Sequence, residues 1–559
     1  MYNGGQIRRA MRTFATVVFS VLAGTCSLQA LVPGVTSVQN PASNIIPGLP
    51  NYGIAQGSIF VLYGSQLGPS TIAIAQSLPY QTTLAGTSIT VTAGGLTFSP
   101  YIIYTLSSQV AAVMPSNVVL GSATIKVTYN GFVGSAFSTT ILQNNFGIST
   151  VNQTGTGAAV VTYPISTAPF YGLVSGANSA VPGNTYTMWG TGLGPAAGGN
   201  SDNNVNAFAT VGPQVQVLIG GVAASVAYYG RSPGAGPGLD QINFTIPAGL
   251  SGCNVSLVVQ TTAAPGTLSN ATTIPISANG GQCSDTFGVQ SSTWSPLLAL
   301  SNGINLGYIP VSQSASTPYS IKGVAGTTIT TSAVGADFVH YTQAQLASQY
   351  QTIFAPNASV GSCVTTVTLV GNSGTSTANY TGLDAGSSVN LNSFTGQAFP
   401  IGKQATGIYS YTQTAPFPTG AYTLTDGTGG TGVGPIGSVA VTIPVYATWT
   451  NQATLGGTQI PRASGLTLTW SGGASAGGYI DIQGSAGFGG NGSDTIAFEC
   501  AALPSAGQFT IPASVLLAMP VGAGSLQVGN NVGQLVTVPG MNLAAVGTSN
   551  VSSIGMNWN

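Results

Sequence analysis

Charge is what this sequence has least of. Its 559 residues hold 8 Lys and Arg, 9 Asp and Glu and one His, so charged residues are 3% of the chain, against about a quarter in an ordinary soluble protein. A formal net charge of −1 excludes the basic footprint that nucleic-acid binding requires. The single histidine, His340, and the scattered cysteines do not supply the three or four closely spaced ligands of a zinc site. Long hydrophobic runs are also missing. The apolar run 14–24 is too short to span a bilayer and nothing later is better, so no transmembrane segment is expected in the mature chain.

Glycine and proline are abundant. With 79 Gly and 32 Pro they make up about a fifth of the residues, without a collagen period. Hydrophobic residues at 43% are too many for a disordered chain, so the glycines read as turns between many short strands. The surface must then be wetted by Ser, Thr, Asn and Gln. A neutral surface resists association poorly, which makes glycans, a cell envelope or further copies of the chain the compatible partners and names none of them. The length implies three to five domains.

Arg8, Arg9 and Arg12 precede the apolar run, and Leu28-Gln29-Ala30 offers a small-residue cleavage context. Residues 1–30 therefore read as a signal peptide, and the protein as extracellular or cell-surface. Three of the eight basic residues leave with it, giving five against nine acids and a net charge of −4. Cys26 after Leu22-Ala23-Gly24-Thr25 leaves a lipoprotein signal open, with Thr25 departing from that pattern. The mature chain keeps Cys253, Cys283, Cys363 and Cys500. An even count in an exported chain reads as two disulfides, with three possible connectivities. Cys253 with Cys283 is favoured, because the two flank the last strands of one module. Cys363 and Cys500 are then a second bridge or a pair of buried thiols.

That module is the chain's organising feature. GSIFVLYGSQLGP, Gly57 to Pro69, returns at an offset of 126 as GNTYTMWGTGLGP, Gly183 to Pro195. The same offset lays Val91, Gly94 and Gly95 on Val217, Gly220 and Gly221. After a short insertion, Gln109 and Pro115 meet Gln241 and Pro247, and Ser135 and Thr139 meet Ser269 and Thr273. Within each copy apolar residues alternate, as on a half-buried strand, and Gly or Pro punctuates about every ten residues. Seven short strands per copy predict a sandwich.

The order G-x-x-x-x-x-x-G-x-x-L-G-P, then V-x-x-G-G, then Q-x-x-x-x-x-P resembles the IPT/TIG immunoglobulin-like domains, in the tandem form of large secreted bacterial proteins. It covers about Pro41 to Ser277 and departs at Gln66, where the second copy has Gly192, and at Ser107 to Val110, where the first copy is shorter. What the resemblance implies is an extracellular spacer or binding domain, with no catalytic residues. Between the copies, Asn145 to Ala180 reads as a hairpin packed at the junction.

The expected fold class is all-β: tandem immunoglobulin-like β-sandwiches, then two further β-rich domains, with at most one or two short helices. The expected divisions are 31–144 and 145–277 for the two Ig-like domains, the second with its hairpin, then 278–446 and 447–559. The helix is expected over Tyr341 to Gln351, which has neither Gly nor Pro.

Strings that could carry chemistry fail on context. Gly473-Ala474-Ser475-Ala476-Gly477 matches a serine-hydrolase elbow, but glycines flank it and a strand follows where a helix is needed. His340 with Asp337 as orienter would have to serve Ser475; His340 reads instead as a surface or capping residue at a helix entry. Gly427 to Gly432 (GTGGTG) matches a dinucleotide fingerprint without the helix that must hold the pyrophosphate, and reads as a loop. Asp481, Asp494 and Glu499 are the closest acids, expected in solvated turns rather than around calcium. Trp189, Trp294, Trp449, Trp470 and Trp558 read as packing residues, an exposed sugar-stacking row being the alternative. No catalytic, cofactor-binding or metal-binding residue is assigned, and no cofactor. The expectation is a non-catalytic structural or adhesive protein built as a rod of β-domains. Its rivals are a carbohydrate-binding or enzyme-accessory protein using exposed aromatics, and a hydrolase within 284–559.

Overall fold

A computed structural model describes residues 32–559 apart from 168–170, 213, 263–266, 286–292, 294–295, 298, 318–328, 344, 346–357, 370–379, 427–428, 474–477 and 490–493. The leader, Ser475 and Trp294 lie outside the described residues. Nearly all of its regular secondary structure is strand.

The first module forms two sheets. In one, Ile59–Ser65 lies between Gly34–Gln39 and Gln109–Val113, with Tyr101–Leu106 beyond. In the other, Gly121–Tyr129 lies between Phe137–Leu142 and Thr87–Ala93. This is the sheet arrangement of a constant-type immunoglobulin sandwich. Phe60, Leu62, Val91, Ile102, Val110 and Ile125 fill the space between the sheets and are fully or almost fully buried. Each contributes about 1.5–3 kcal/mol relative to its exposed state.

The core strands of the repeat recur in the second module. Ile59–Ser65 becomes Thr185–Thr191 at the same offset of 126. Glycine is needed at the strand's sixth residue because a neighbouring backbone passes there. A Cβ on Gly64 would run into the Gly34 carbonyl oxygen, and one on Gly190 into that of Gly147. One difference has a clear cause. Leu96–Phe98 and Tyr101–Leu106 are separate strands in the first module, divided at Pro100, which has no N–H for the ladder. Their counterpart, Val222–Arg231, has no proline and runs unbroken through a bulge near Val226, joining the second module's strands into one nine-stranded sheet folded around its core.

The segment between the copies belongs to that sheet. Gly147–Ile148 and Val161–Pro164 both pair with Thr185–Thr191, and Tyr171–Leu173 pairs with Val161–Pro164 at the edge. Val161–Pro164 and Tyr171–Leu173 thus form an antiparallel border of the second module.

The C-terminal half departs most from expectation. Strands from both sides of residue 446 share one fourteen-stranded sheet. At its centre Leu306–Thr317 runs parallel to Leu543–Ile554 through twelve consecutive partners. Ser362–Thr368 crosses to pair with Thr495–Ala501 at the opposite edge. Two cores lie on this sheet. One holds Val334, Phe338, Val389, Phe399 and Tyr422 but also takes Val538, Ala544 and Val546. The other holds Ile480, Phe498, Leu526 and Trp558 but also takes Cys363. The division expected at 446/447 is corrected: each side lends strands to the other's core.

The helix expected over Tyr341 to Gln351 starts later than expected: Tyr341 closes the strand Ile329–Tyr341, Gln343 and Gln345 are helical, and most of 342–351 lies outside the described residues. Two four-residue helices, Gln452–Leu455 and Ala513–Leu516, are described. Nor is the chain a rod, because Leu49 of the first module is buried in the core with Phe488 and Ile496, and Ile45 and Ile46 pack against it. No helix among the described residues is long and apolar enough to cross a membrane.

Candidate functional site

Polar chemistry concentrates where the two repeats meet. The turn after Thr185–Thr191 exposes the N–H groups of Gly192 and Leu193, and both donate to Asp240 Oδ2 at 2.8 Å. Asp240 Oδ1 is paired with the Arg231 guanidinium. Arg231 Nη2 donates to Gly194 O at 2.8 Å and, across the junction, to Gly57 O at 2.9 Å. Arg231 is 1% exposed and Asp240 0%. Burial pushes the Asp240 carboxyl up, opposed by the Arg231 cation and the two N–H donors. The first copy has no such pair: Ser108 stands at the aligned position, and the main-chain oxygens of Ser107 and Ser108 accept from Leu67 and Gly64 instead. Gly57, with φ +65°, has Arg231 Nη2 2.5 Å from where a Cβ would stand, whereas its counterpart Gly183 faces open space.

Side chains extend the junction. Asn40 Nδ2 donates to Asn145 O at 3.1 Å and Thr191 O at 3.0 Å. Asn145 Nδ2 donates back to Asn51 O and Gly53 O, at 2.9 and 2.8 Å. Ser116 donates from N and Oγ to the two carboxylate oxygens of Asp202, at 2.7 and 2.6 Å. Buried polar groups so satisfied fix one arrangement of neighbours, since each alternative leaves donors unpaired.

Beside this junction a cleft of about 600 Å³ opens among three parts of the chain: residues 39–51, 154–156 with 269–271, and 365–369 with Ile496 and Ala518. Its wall is apolar at Ile45, Leu49 and Ile496 and carries amides and hydroxyls elsewhere. None of the described residues lining it is ionisable.

Both cysteine pairs are closed. Cys253–Cys283 and Cys363–Cys500 each have an S–S distance of 2.04 Å. The second joins directly opposite residues of neighbouring strands, which sequence spacing could not foresee.

Asp337 and His340 stand on a strand rather than at a helix entry. His340 Nδ1 is 2.7 Å from Asn305 Oδ1. Asp337, raised by burial, lies opposite Tyr308. Of GTGGTG, the described part is a loop whose Gly432 N–H donates to Asp384 O at 3.0 Å. Asp426 Oδ1 accepts from Ile436 N at 2.7 Å and closes that loop.

The acids expected in turns are on strands. Asp481 lies on Gly478–Phe488 and Glu499 on Asp494–Ala502, close on one face, while Asp494 is at the strand's start. Burial, and then Glu499, push the Asp481 carboxyl up to about 8. Asp481 Oδ2 accepts from Gln483 Nε2 at 2.7 Å. Burial also raises Tyr479 on the same face, with Asp481, Glu499 and Tyr308 adding to it. Among the described residues no three His, Cys, Asp or Glu are grouped to hold a metal ion.

Trp449, Trp470 and Trp558 are core residues, 6%, 4% and 1% exposed. Their indole N–H groups donate to Asn451 Oδ1, Pro504 O and Ser485 O. Trp189 is half-buried and donates to Thr162 Oγ1 at 2.9 Å, because the bordering strand covers it.

No protein-family model matches the chain. No curated protein matches it either. Among solved structures, it is similar to the surface glycan-binding protein SGBP-B of the Bacteroides ovatus mixed-linkage glucan utilisation locus, solved with a heptasaccharide. That likeness has 12% identity over 81% of this chain and 83% of that one, with a TM-score of 0.13. Domains 5–6 of the S-layer protein SbsC match at 12% identity over 44% of this chain and 98% of theirs, with a TM-score of 0.14. Titin domains A168–A170 match at 10% identity over 74% and 94%, with a TM-score of 0.12. TM-scores this low assign neither a family nor an activity.

Proposed function

We propose that the chain is a secreted or cell-surface protein with a structural and adhesive role rather than a catalytic one, its repeats being of the IPT/TIG type. The observation that carries this is the buried junction. Arg231, Asp240, Asn40 and Asn145 are spent on holding one repeat against the next, which suits a load-bearing or presenting body. Two disulfides suit an oxidising compartment. The broad C-terminal sheet turns Ser312, Ser314, Gln483, Gln527, Ser549 and Ser553 to the face opposite its two large cores, a hydroxyl and amide surface on which Asp481 and Glu499 are the acids near Gln483. Such a hydroxyl-rich face suits a glycan, an envelope component or another copy.

Fractionation of the native host tests this reading. The mature protein, lacking residues 1–30, should appear in the medium or the envelope fraction, and beads coated with it should be retained on host envelopes at both low and high salt, as contacts without charge are not screened. Recovery of the intact chain from the cytoplasm, or beads no stickier than uncoated ones, overturns it.

A further inference from the structure

The strand Ser362–Thr368 is the last of the fourteen-stranded sheet, and its second half borders the three-way cleft. Near its start the strand is covered: Asn254 N donates to Ser359 Oγ and Ser256 N to Ser362 Oγ, from the second module. Beyond that, Thr366, Val367 and Thr368 are exposed. The pairing register tells which main-chain groups are free. Cys363 and Cys500 are opposite with Cα atoms 4.0 Å apart, the close spacing of a pair that exchanges no hydrogen bonds. Alternation along an antiparallel ladder then turns the N–H and C=O of Thr365 and Val367 away from their one neighbour strand and toward the cleft.

We propose that this edge is a docking site for an uncharged, extended peptide segment, which adds as a further strand beside Thr365 to Thr368. Main-chain hydrogen bonding is the recognition chemistry that a free edge offers, with side-chain pockets choosing alternate residues. The cleft fixes the rest. Ile45, Leu49 and Ile496 make an apolar wall for one set of alternating side chains, and Asn51, Thr154 and Thr156 make a polar one. No ionisable group lines the cleft among the described residues, so a charged segment would lose hydration there without gaining a partner from them. The inference is independent of where the protein works.

The test uses the full chain and the capped peptide acetyl-Thr-Val-Thr-Val-Thr-amide, titrated by NMR or calorimetry, alongside a version N-methylated at alternate residues. The expected result is saturable binding that falls about tenfold or more on N-methylation, the loss of one to two main-chain hydrogen bonds. Val367→Pro should give the same loss while leaving the sheet intact, because an outward N–H is the one an edge strand can spare. Val367→Thr, which keeps that N–H, should retain binding. No saturable binding, or binding indifferent to N-methylation, overturns the proposal; the methylated peptide needs no variant, so misfolding of Val367→Pro would not rescue it.

Discussion

Arg231 and Asp240 pair in the second repeat with no exposed surface between them, and the same guanidinium reaches the Gly57 carbonyl of the first. One ion pair thus closes a turn and pins two modules. Removing one partner strands a buried charge, which costs about 3–5 kcal/mol. Arg231→Met and Asp240→Leu should each lower the urea midpoint of the full chain by a corresponding amount, and the double variant should lose clearly less than the sum. Additive losses would mean that the two groups act separately.

The Asp481 carboxyl gives the fold a pH dependence of unusual sign. Burial and Glu499 hold its folded pKa at about 8, against about 4 in the unfolded chain. The folded state therefore binds the proton more tightly. Its stabilising contribution is complete below about pH 4, declines as pH rises and is gone above about 8. Thermal midpoints measured from pH 5 to 9 should fall with pH, and Asp481→Asn should flatten the profile. A rising midpoint in the unsubstituted protein across that range would refute the assignment.

The disulfides differ in what they enclose. Cys253–Cys283 spans 30 residues and Cys363–Cys500 spans 137, so chain entropy assigns them about 4 and about 5 kcal/mol. The longer one also fastens a strand from before residue 446 to a sheet edge built from residues after it. Non-reducing peptide mapping should recover these two linkages, and Cys363→Ser with Cys500→Ser should lower the denaturation midpoint more than the corresponding change at Cys253 and Cys283.

The repeats were legible because each piece of local chemistry agrees with the others. Alternation marks Ile59–Ser65, Pro69 ends its turn, and the offset of 126 carries the strand onto Thr185–Thr191 without error. The carboxylate at the junction was not legible, since Asp240 aligns with Ser108 and nothing local shows that it faces a turn 47 residues earlier. Ile304–Thr317 was hidden by Pro310, a residue that argues against a central strand. The sheet admits it by placing Gly335 on one side, where a Cβ would come within 3.1 Å of the proline ring, and Gly547 on the other. Asp481 looked like a turn residue amid glycine and serine, yet its strand alternates buried Ile480 and Ile482 with it. Leu49 lies in a Pro- and Gly-rich loop whose sequence gives no hint of a distant core.

Whether residues 278–446 and 447–559 can fold apart is decided by the parallel pair at the sheet's centre. Leu306–Thr317 contributes twelve partners to Leu543–Ile554, and parallel pairing demands a long connection, here the whole C-terminal half. Cutting at 446/447 would expose two unpaired edges of apolar strands and strip Val538, Ala544 and Val546 from the core around Phe399. Each fragment expressed alone should aggregate or show no cooperative unfolding transition, while 278–559 should unfold cooperatively. The connection itself, residues 444–451, should resist limited proteolysis no worse than its flanks, because Ala447–Trp449 is paired and Trp449 is buried. Two separately folding fragments, each soluble and cooperative, would restore the division read from the sequence and refute the shared sheet.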